Sequence, residues 1–237
     1  MGQDEAGVEA LCEMSPVVLV VLILNSLVFG AWLALGDSKV MADSFLVSWE
    51  ALEAGRYWTL LGSAFSHIYF LHFFLNMYVL VSFGTVVEQI IGSARFLLFY
   101  LVAAIVASFG HAAVSAFLLG KPDLPALGAS GAISGIVILF SLMIPQARLY
   151  LLGIIPMPAI VGAMVFVGLD IVGLTAQAGG GGLPIGHGAH LSGALVGALT
   201  YLLLARQLAD ARRNRLDFSD VESWVALLRR SGFHEKL

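Results

Sequence analysis

The sequence predicts an all-α membrane protein built on six transmembrane helices. Hydrophobic residues make up 59% of its 237 positions and charged residues only 12%, with a mean hydropathy of +0.92. Six apolar runs approach the roughly 20 residues needed to cross a bilayer, and the charges fall at the ends and in the loops between them. Basic residues also concentrate on alternate loops, as multi-pass proteins require. This composition excludes a large soluble core. The single cysteine, Cys12, excludes an intramolecular disulfide framework.

The first run covers 16–35 and follows an acidic segment carrying Asp4, Glu5, Glu9 and Glu13. No basic region precedes it and no cleavage motif follows, so it reads as a span and not as a signal peptide. The loop after it carries charges of both signs, and Trp49, Tyr57 and Trp58 suit an interfacial, partly helical segment. The second run, 60–87, holds His67, His72 and Asn76; the third, 96–119, holds His111, read as a packing histidine. The fourth, 130–144, opens at Ser130 behind Gly128. The fifth, 149–174, carries Asp170, expected to cap a helix or bind water. Residues 175–188 are glycine-rich and predict a flexible cap above the sixth run, 190–205, which opens at His190. Beyond it, Ser219 and Glu222 form a capping-box pattern, and Val221, Trp224, Val225 and Leu228 share one face. The expected organisation is a cytoplasmic segment 1–15, a membrane domain 16–205 and a cytoplasmic tail 206–237 ending in a short amphipathic helix.

Placing the amino terminus inside puts nine basic residues on inside segments (Arg95, Arg148, Arg206, Arg212, Arg213, Arg215, Arg229, Arg230, Lys236) against three outside (Lys39, Arg56, Lys121). Both termini then lie on the same side, as an even number of spans demands. The compact chain and the want of an organelle signal point to a bacterial inner membrane with both termini cytoplasmic.

With that orientation, helix rise sets depth. Ser130 lies about 22 Å from the inner end of its span, His190 and His72 about 24 Å, and Asn76 about 18 Å, at about 1.5 Å per residue. Three helices thus deliver polar groups to one layer. Polar groups inside a bilayer are costly, so a functional reading is the default. A serine needs a base to become a useful nucleophile, and His190 can take its proton and return it to a leaving amine. The developing oxyanion needs donors; the Ser130 N–H and the side chains of His72 and Asn76 are candidates, the last two at i, i+4 on one face. Gly131 with Gly135, and Gly193 with Gly197, give small faces on which the fourth and sixth helices can pack closely.

These pieces resemble the rhomboid family of intramembrane serine proteases. The resemblance rests on His67 and His72-x-x-x-Asn76, on Gly128-Ala129-Ser130-Gly131, and on Ala189-His190-Leu191-Ser192-Gly193 with Gly197, in order and on the right spans. Glu88 with Gly92-Ser93 resembles the family's turn between its second and third spans. The resemblance implies a six-transmembrane-helix rhomboid-like bundle. It implies a Ser130–His190 catalytic dyad without an acid member, with His72 and Asn76 supporting the oxyanion. It also implies cleavage of single-pass membrane proteins near the outer face. Two positions depart from the family pattern. Ser134 stands where an aromatic often packs on the catalytic imidazole, and Thr59 follows Trp58 where an arginine is common.

Other chemistries fit less well. His187, three residues before His190, offers a metal pair, but the chain has no His-Glu-x-x-His string, so neither a metal nor another cofactor is expected. Asp170 has no second aspartate inside a span, against a two-aspartate protease. A non-proteolytic rhomboid-like protein that binds membrane helices is the alternative, and a solute transporter would want paired repeats. The expected partners are transmembrane protein substrates and the lipid bilayer, not nucleic acid; oligomeric state is not legible.

Overall fold

A computed structural model describes residues 15–151 and 155–213. The amphipathic helix expected around Ser219 lies outside the described residues. Helix α1, Pro16–Leu35, begins with proline at its first position, where the missing N–H costs nothing. Its next two amides, Val17 N–H and Val18 N–H, donate to the two carboxylate oxygens of Glu88 at 3.0 and 2.9 Å. Glu88 also accepts the Ser93 hydroxyl at 2.7 Å, and so ties the start of α1 to the turn between the next two spans. At the other end of α1, the Trp32 indole N–H donates to Ser66 Oγ at 2.6 Å.

The following loop is helical in pieces, as expected: α2 (Lys39–Phe45) and α3 (Trp49–Glu53), capped by Ser38 and Ser48 through the amides of Met41 and Ala51. Arg56 pairs with Asp43, and Trp58 donates to the Asp43 carbonyl at 3.0 Å. Thr59 Oγ1 donates to the Arg56 carbonyl at 2.7 Å, so the loop is anchored without an arginine after Trp58.

The second run breaks where hydropathy gives no warning. Residues of α4 (Thr59–Gly62) and a 3-10 turn (Ser63–Phe65) precede an extended stretch, and the span itself runs Phe70–Ile91 instead of 60–87. Within it, α5 (Phe70–Val79) passes through a π turn (Leu80–Gly84) into α6 (Thr85–Ile91). Gly92, at φ 84°, turns the chain into α7, Ser93–Phe117. The central helix α8, Ser130–Met143, has 14 residues, about 21 Å of rise. It is shorter than the bilayer, but eleven of those residues are buried, so the other helices shield its ends from lipid.

The fifth run also starts late. Residues 148–158 form an antiparallel hairpin, β1 (Arg148–Leu151) with β2 (Ile155–Pro158), and α9 begins only at Ala159, running to Ala178. Pro156 and Pro158 lack the N–H that a helix would use there, and Pro158 is extended at the cap position. The last helix, α10, runs His187–Arg213, starting before and ending beyond 190–205.

Among the described residues five helices are long and apolar enough to cross a membrane, and α8 completes a six-helix bundle. Its core is built by Leu80, Ile90, Phe96, Tyr100, Ile136 and Leu139, all under 1% exposed. Large apolar side chains also cover the outside, including Leu27, Phe70, Leu98 and Leu169. Such an exterior suits a lipid solvent, with backbone groups satisfied inside the helices.

Glycine sets the closest helix contact. A Cβ added at Gly193 would collide with the Gly131 carbonyl, and one at Gly197 with the Gly135 carbonyl. The two small faces predicted for α8 and α10 therefore meet each other backbone to backbone. That contact determines what stands at the heads of the two helices.

Candidate active site

At the heads of α8 and α10, Ser130 Oγ lies 2.9 Å from His190 Nε2. The other ring nitrogen, His190 Nδ1, lies 3.0 Å from Asp170 Oδ1 on α9. A carboxylate can only accept, so Nδ1 carries the proton, and Nε2 is left as the acceptor facing the serine hydroxyl. Asp170 was expected to cap a helix or hold water; instead it is 4% exposed and fixes the imidazole's tautomer. Geometrically, the serine–histidine pair therefore has an acid partner, where the resemblance implied none.

Phe166, one turn before Asp170 on α9, stacks on the His190 ring at a centroid distance of 5.7 Å and an interplanar angle of 30°. It supplies the aromatic contact that Ser134 cannot. Ser134 instead donates back to the Ser130 carbonyl at 2.7 Å, reinforcing the first turn of α8. His187 Nδ1 also reaches Asp170 Oδ1, at 2.6 Å. Its ring lies against Gly173, where a Cβ would overlap the imidazole.

His72 approaches from the second span. A Cβ at Gly128 would stand 2.7 Å from His72 Cε1 and 3.7 Å from Ser130 Oγ. The glycine, at φ 125°, thus leaves open the gap through which His72 faces the serine. Asn76 is buried one turn along, its amide donating to the His72 carbonyl at 2.8 Å, and it does not reach the cavity wall. His67, fully buried, packs edge-on to His72 at 4.9 Å and accepts the Ala129 N–H at 3.4 Å. Burial, reinforced by neighbouring His72, pushes its pKa down to about 3, so it stays neutral and keeps that acceptor. His111 Nε2 contacts the Leu124 carbonyl and the Ser115 hydroxyl, and the residue lines the same cavity as Ser130, so it does more than pack.

Ser130, His190, His72 and Gly128 line one cavity of about 720 Å³, with Tyr69 and Pro184 on its wall. It is large enough for an extended peptide segment of a few residues. Its first-turn amides on α8 have no intrahelical partners and are ready donors to an anion.

Sequence reasoning brought Ser130, His190 and His72 to one layer, and the structure brings them to one cavity. It missed Asp170 and Phe166 as partners of His190. The available signal was their i, i+4 spacing on the fifth helix together with His187 and His190 at i, i+3 on the sixth.

A family model described as the rhomboid domain matches residues 54–207. The chain is 35% identical over 197 residues to RHOMBOID-like protein 12, mitochondrial, of Arabidopsis thaliana, covering 78% of this chain and 57% of that protein. It is 30% identical to Rhomboid protein 1, mitochondrial, of Saccharomyces cerevisiae, covering 84% of this chain and 56% of that one. It is 31% identical to Presenilin-associated rhomboid-like protein A, mitochondrial, of Danio rerio, covering 87% and 52%. The chain spans about half the length of these curated relatives. Their names overturn the expectation of a bacterial inner membrane with cytoplasmic termini, since the similar proteins are mitochondrial. That expectation leaned on the compactness of the chain and the want of an organelle signal.

Proposed function

We propose, from the premise that this chain belongs to the rhomboid family, that it is a serine endopeptidase cutting transmembrane protein substrates within the lipid bilayer. The observation that carries this reading is the 2.9 Å approach of Ser130 Oγ to His190 Nε2, with Nδ1 of the same ring held by Asp170.

In the proposed reaction the Ser130 oxygen attacks the scissile carbonyl as its proton passes to His190 Nε2. Asp170 stabilises the imidazolium that forms and keeps it pointed at the serine. The negative oxygen of the tetrahedral intermediate is met by the Ser130 N–H and by His72. Asn76 joins them when its amide turns from the His72 carbonyl. Collapse expels the amine, which takes the proton back from His190. Water then enters, gives its proton to the same nitrogen and hydrolyses the acyl-serine. Substrates are single-pass membrane proteins, cut near the membrane face where α8 and α10 begin. A helix that unwinds easily there can extend into the cavity.

The test is cleavage of a single-pass substrate by the purified protein in lipid vesicles, comparing wild type with Ser130→Ala and His190→Ala. Both variants should lose cleavage, and a fluorophosphonate should label wild type at Ser130. Cleavage that persists in either variant would overturn the serine–histidine pair, and neither cleavage nor labelling in wild type would favour a non-proteolytic helix-binding protein.

A further inference from the structure

Asp170, His187 and His190 form a cluster that the proposed peptide cleavage does not fully use. One oxygen, Oδ1, accepts both imidazole Nδ1 atoms, at 2.6 and 3.0 Å. The other, Oδ2, is buried with no hydrogen-bond partner. A carboxylate in a membrane interior with one oxygen unpartnered is poorly compensated by the hydrogen bonds to the other oxygen alone. His187 has no step in the reaction.

We propose that this cluster binds a divalent zinc ion that inhibits the enzyme. The ligand atoms of the three residues all lie within 4.8 Å of one another. Tetrahedral zinc, with bonds of about 2.0–2.1 Å to nitrogen or oxygen, holds its ligand atoms about 3.3 Å apart, so the cluster closes on the ion with small side-chain shifts. Two imidazoles and one carboxylate favour zinc over calcium or magnesium, which prefer all-oxygen shells. Buried Oδ2 or a water completes the shell. His187 and His190 come from adjacent turns of α10 and Asp170 from the preceding helix, so the ion would also pin α9 to α10.

The inhibition follows from lone-pair accounting and rests on the serine–histidine reading. Zinc takes the Nδ1 lone pair of His190, and a neutral imidazole bound through Nδ1 carries its proton on Nε2. Nε2 then donates towards Ser130 Oγ instead of accepting from it. The base is occupied while the serine remains in place. No proton is released if both rings begin neutral; each proton only moves from Nδ1 to Nε2.

Binding is measured first, on the Ser130→Ala protein, where the cluster is intact and hydrolysis is absent. Equilibrium dialysis should find one zinc per chain, and cobalt(II) should give the intense visible bands of a four-coordinate site. Adding His187→Gln or Asp170→Asn should weaken zinc binding by about tenfold or more, a loss at least as large as that from removing a supporting group. Calcium and magnesium should not compete. Equal zinc binding after both substitutions, or none at the outset, would overturn the proposal without touching the protease reading. In wild type, zinc should abolish cleavage and a chelator should restore it. His187→Gln, compared with its own zinc-free rate, should need about tenfold more zinc or beyond for the same inhibition. Bound zinc with unaltered cleavage would overturn the inhibition, and a protein that binds zinc but never cleaves would refute only the protease reading.

Discussion

Asp170→Asn removes one charge and leaves the shape of the side chain. In the structure, Asp170 Oδ1 accepts from His190 Nδ1, and this selects the tautomer whose Nε2 faces Ser130 at 2.9 Å. An amide can present its NH2 to the same nitrogen, which stabilises the opposite tautomer and points a proton at the serine. In a Ser-His-Asp arrangement that change costs about 10⁴ in kcat. Here Phe166 still stacks on the ring, so part of its orientation survives. The expected loss is about 10²–10⁴ in kcat, or roughly 2.7–5.4 kcal/mol of transition-state stabilisation at 1.36 kcal/mol per decade. KM should change little, because Asp170 sits behind His190 and does not itself line the cavity. The assay is steady-state cleavage in vesicles with kcat and KM separated, with fluorophosphonate labelling of Ser130 in parallel. Asp170→Glu should recover part of the rate, since it restores a carboxylate. A kcat for Asp170→Asn within about threefold of wild type would refute the reasoning, since the expected effect is at least about 10².

Two further outcomes follow from other parts of the bundle. Gly193→Ala drives a methyl group into the Gly131 carbonyl, so α8 and α10 must separate; overpacking should cost about 1–3 kcal/mol or more. A shift near 1 Å between Ser130 and His190 should also lower cleavage about 10²-fold, and thermal unfolding in micelles with wild-type cleavage would contradict this. His67 is held neutral in the fold, with its pKa lowered from 6.5 to about 3. Because a base with a depressed folded pKa binds its proton mainly when unfolded, its stabilising contribution is complete above about pH 6.5. It falls by about 1.4 kcal/mol per pH unit towards pH 3, or about 2 kcal/mol by pH 5. Equilibrium unfolding in mixed micelles should show this slope reduced by one proton in His67→Gln, and an unchanged slope would count against it.

The sequence carried the class of the protein and three of the polar groups that line the cavity, because polar residues in apolar runs stand out. Ser130 and His190 were legible for that reason, and Gly131, Gly135, Gly193 and Gly197 supplied the packing that lets them meet. Helix starts were less legible. Hydropathy averages over the extended stretch around Ser66 and His67, whose polar side chains are buried by tertiary contacts it does not see. It also reads through Pro156 and Pro158, where a missing amide hydrogen, not polarity, delays the fifth helix. Asp170 was misread because one acidic residue near the end of a span is equally suited to capping a helix. Its role depends on which neighbour turns towards it, and only the packing of α9 on α10 decides that. Phe166 sat unremarked among other apolar residues for the same reason.

Helix α1 is fastened at both extremities, to Glu88 through its first amides and to Ser66 through Trp32. The fasteners are separated by about 21 Å of rise, from Val18 to Trp32. Between them the helix shows much of its surface to hydrocarbon, where a released amide finds no water to replace its lost partner. It therefore resists sliding up or down as bilayer thickness changes. A thinner or thicker membrane must tilt the whole assembly, or deform around it, before α1 can slip a single notch.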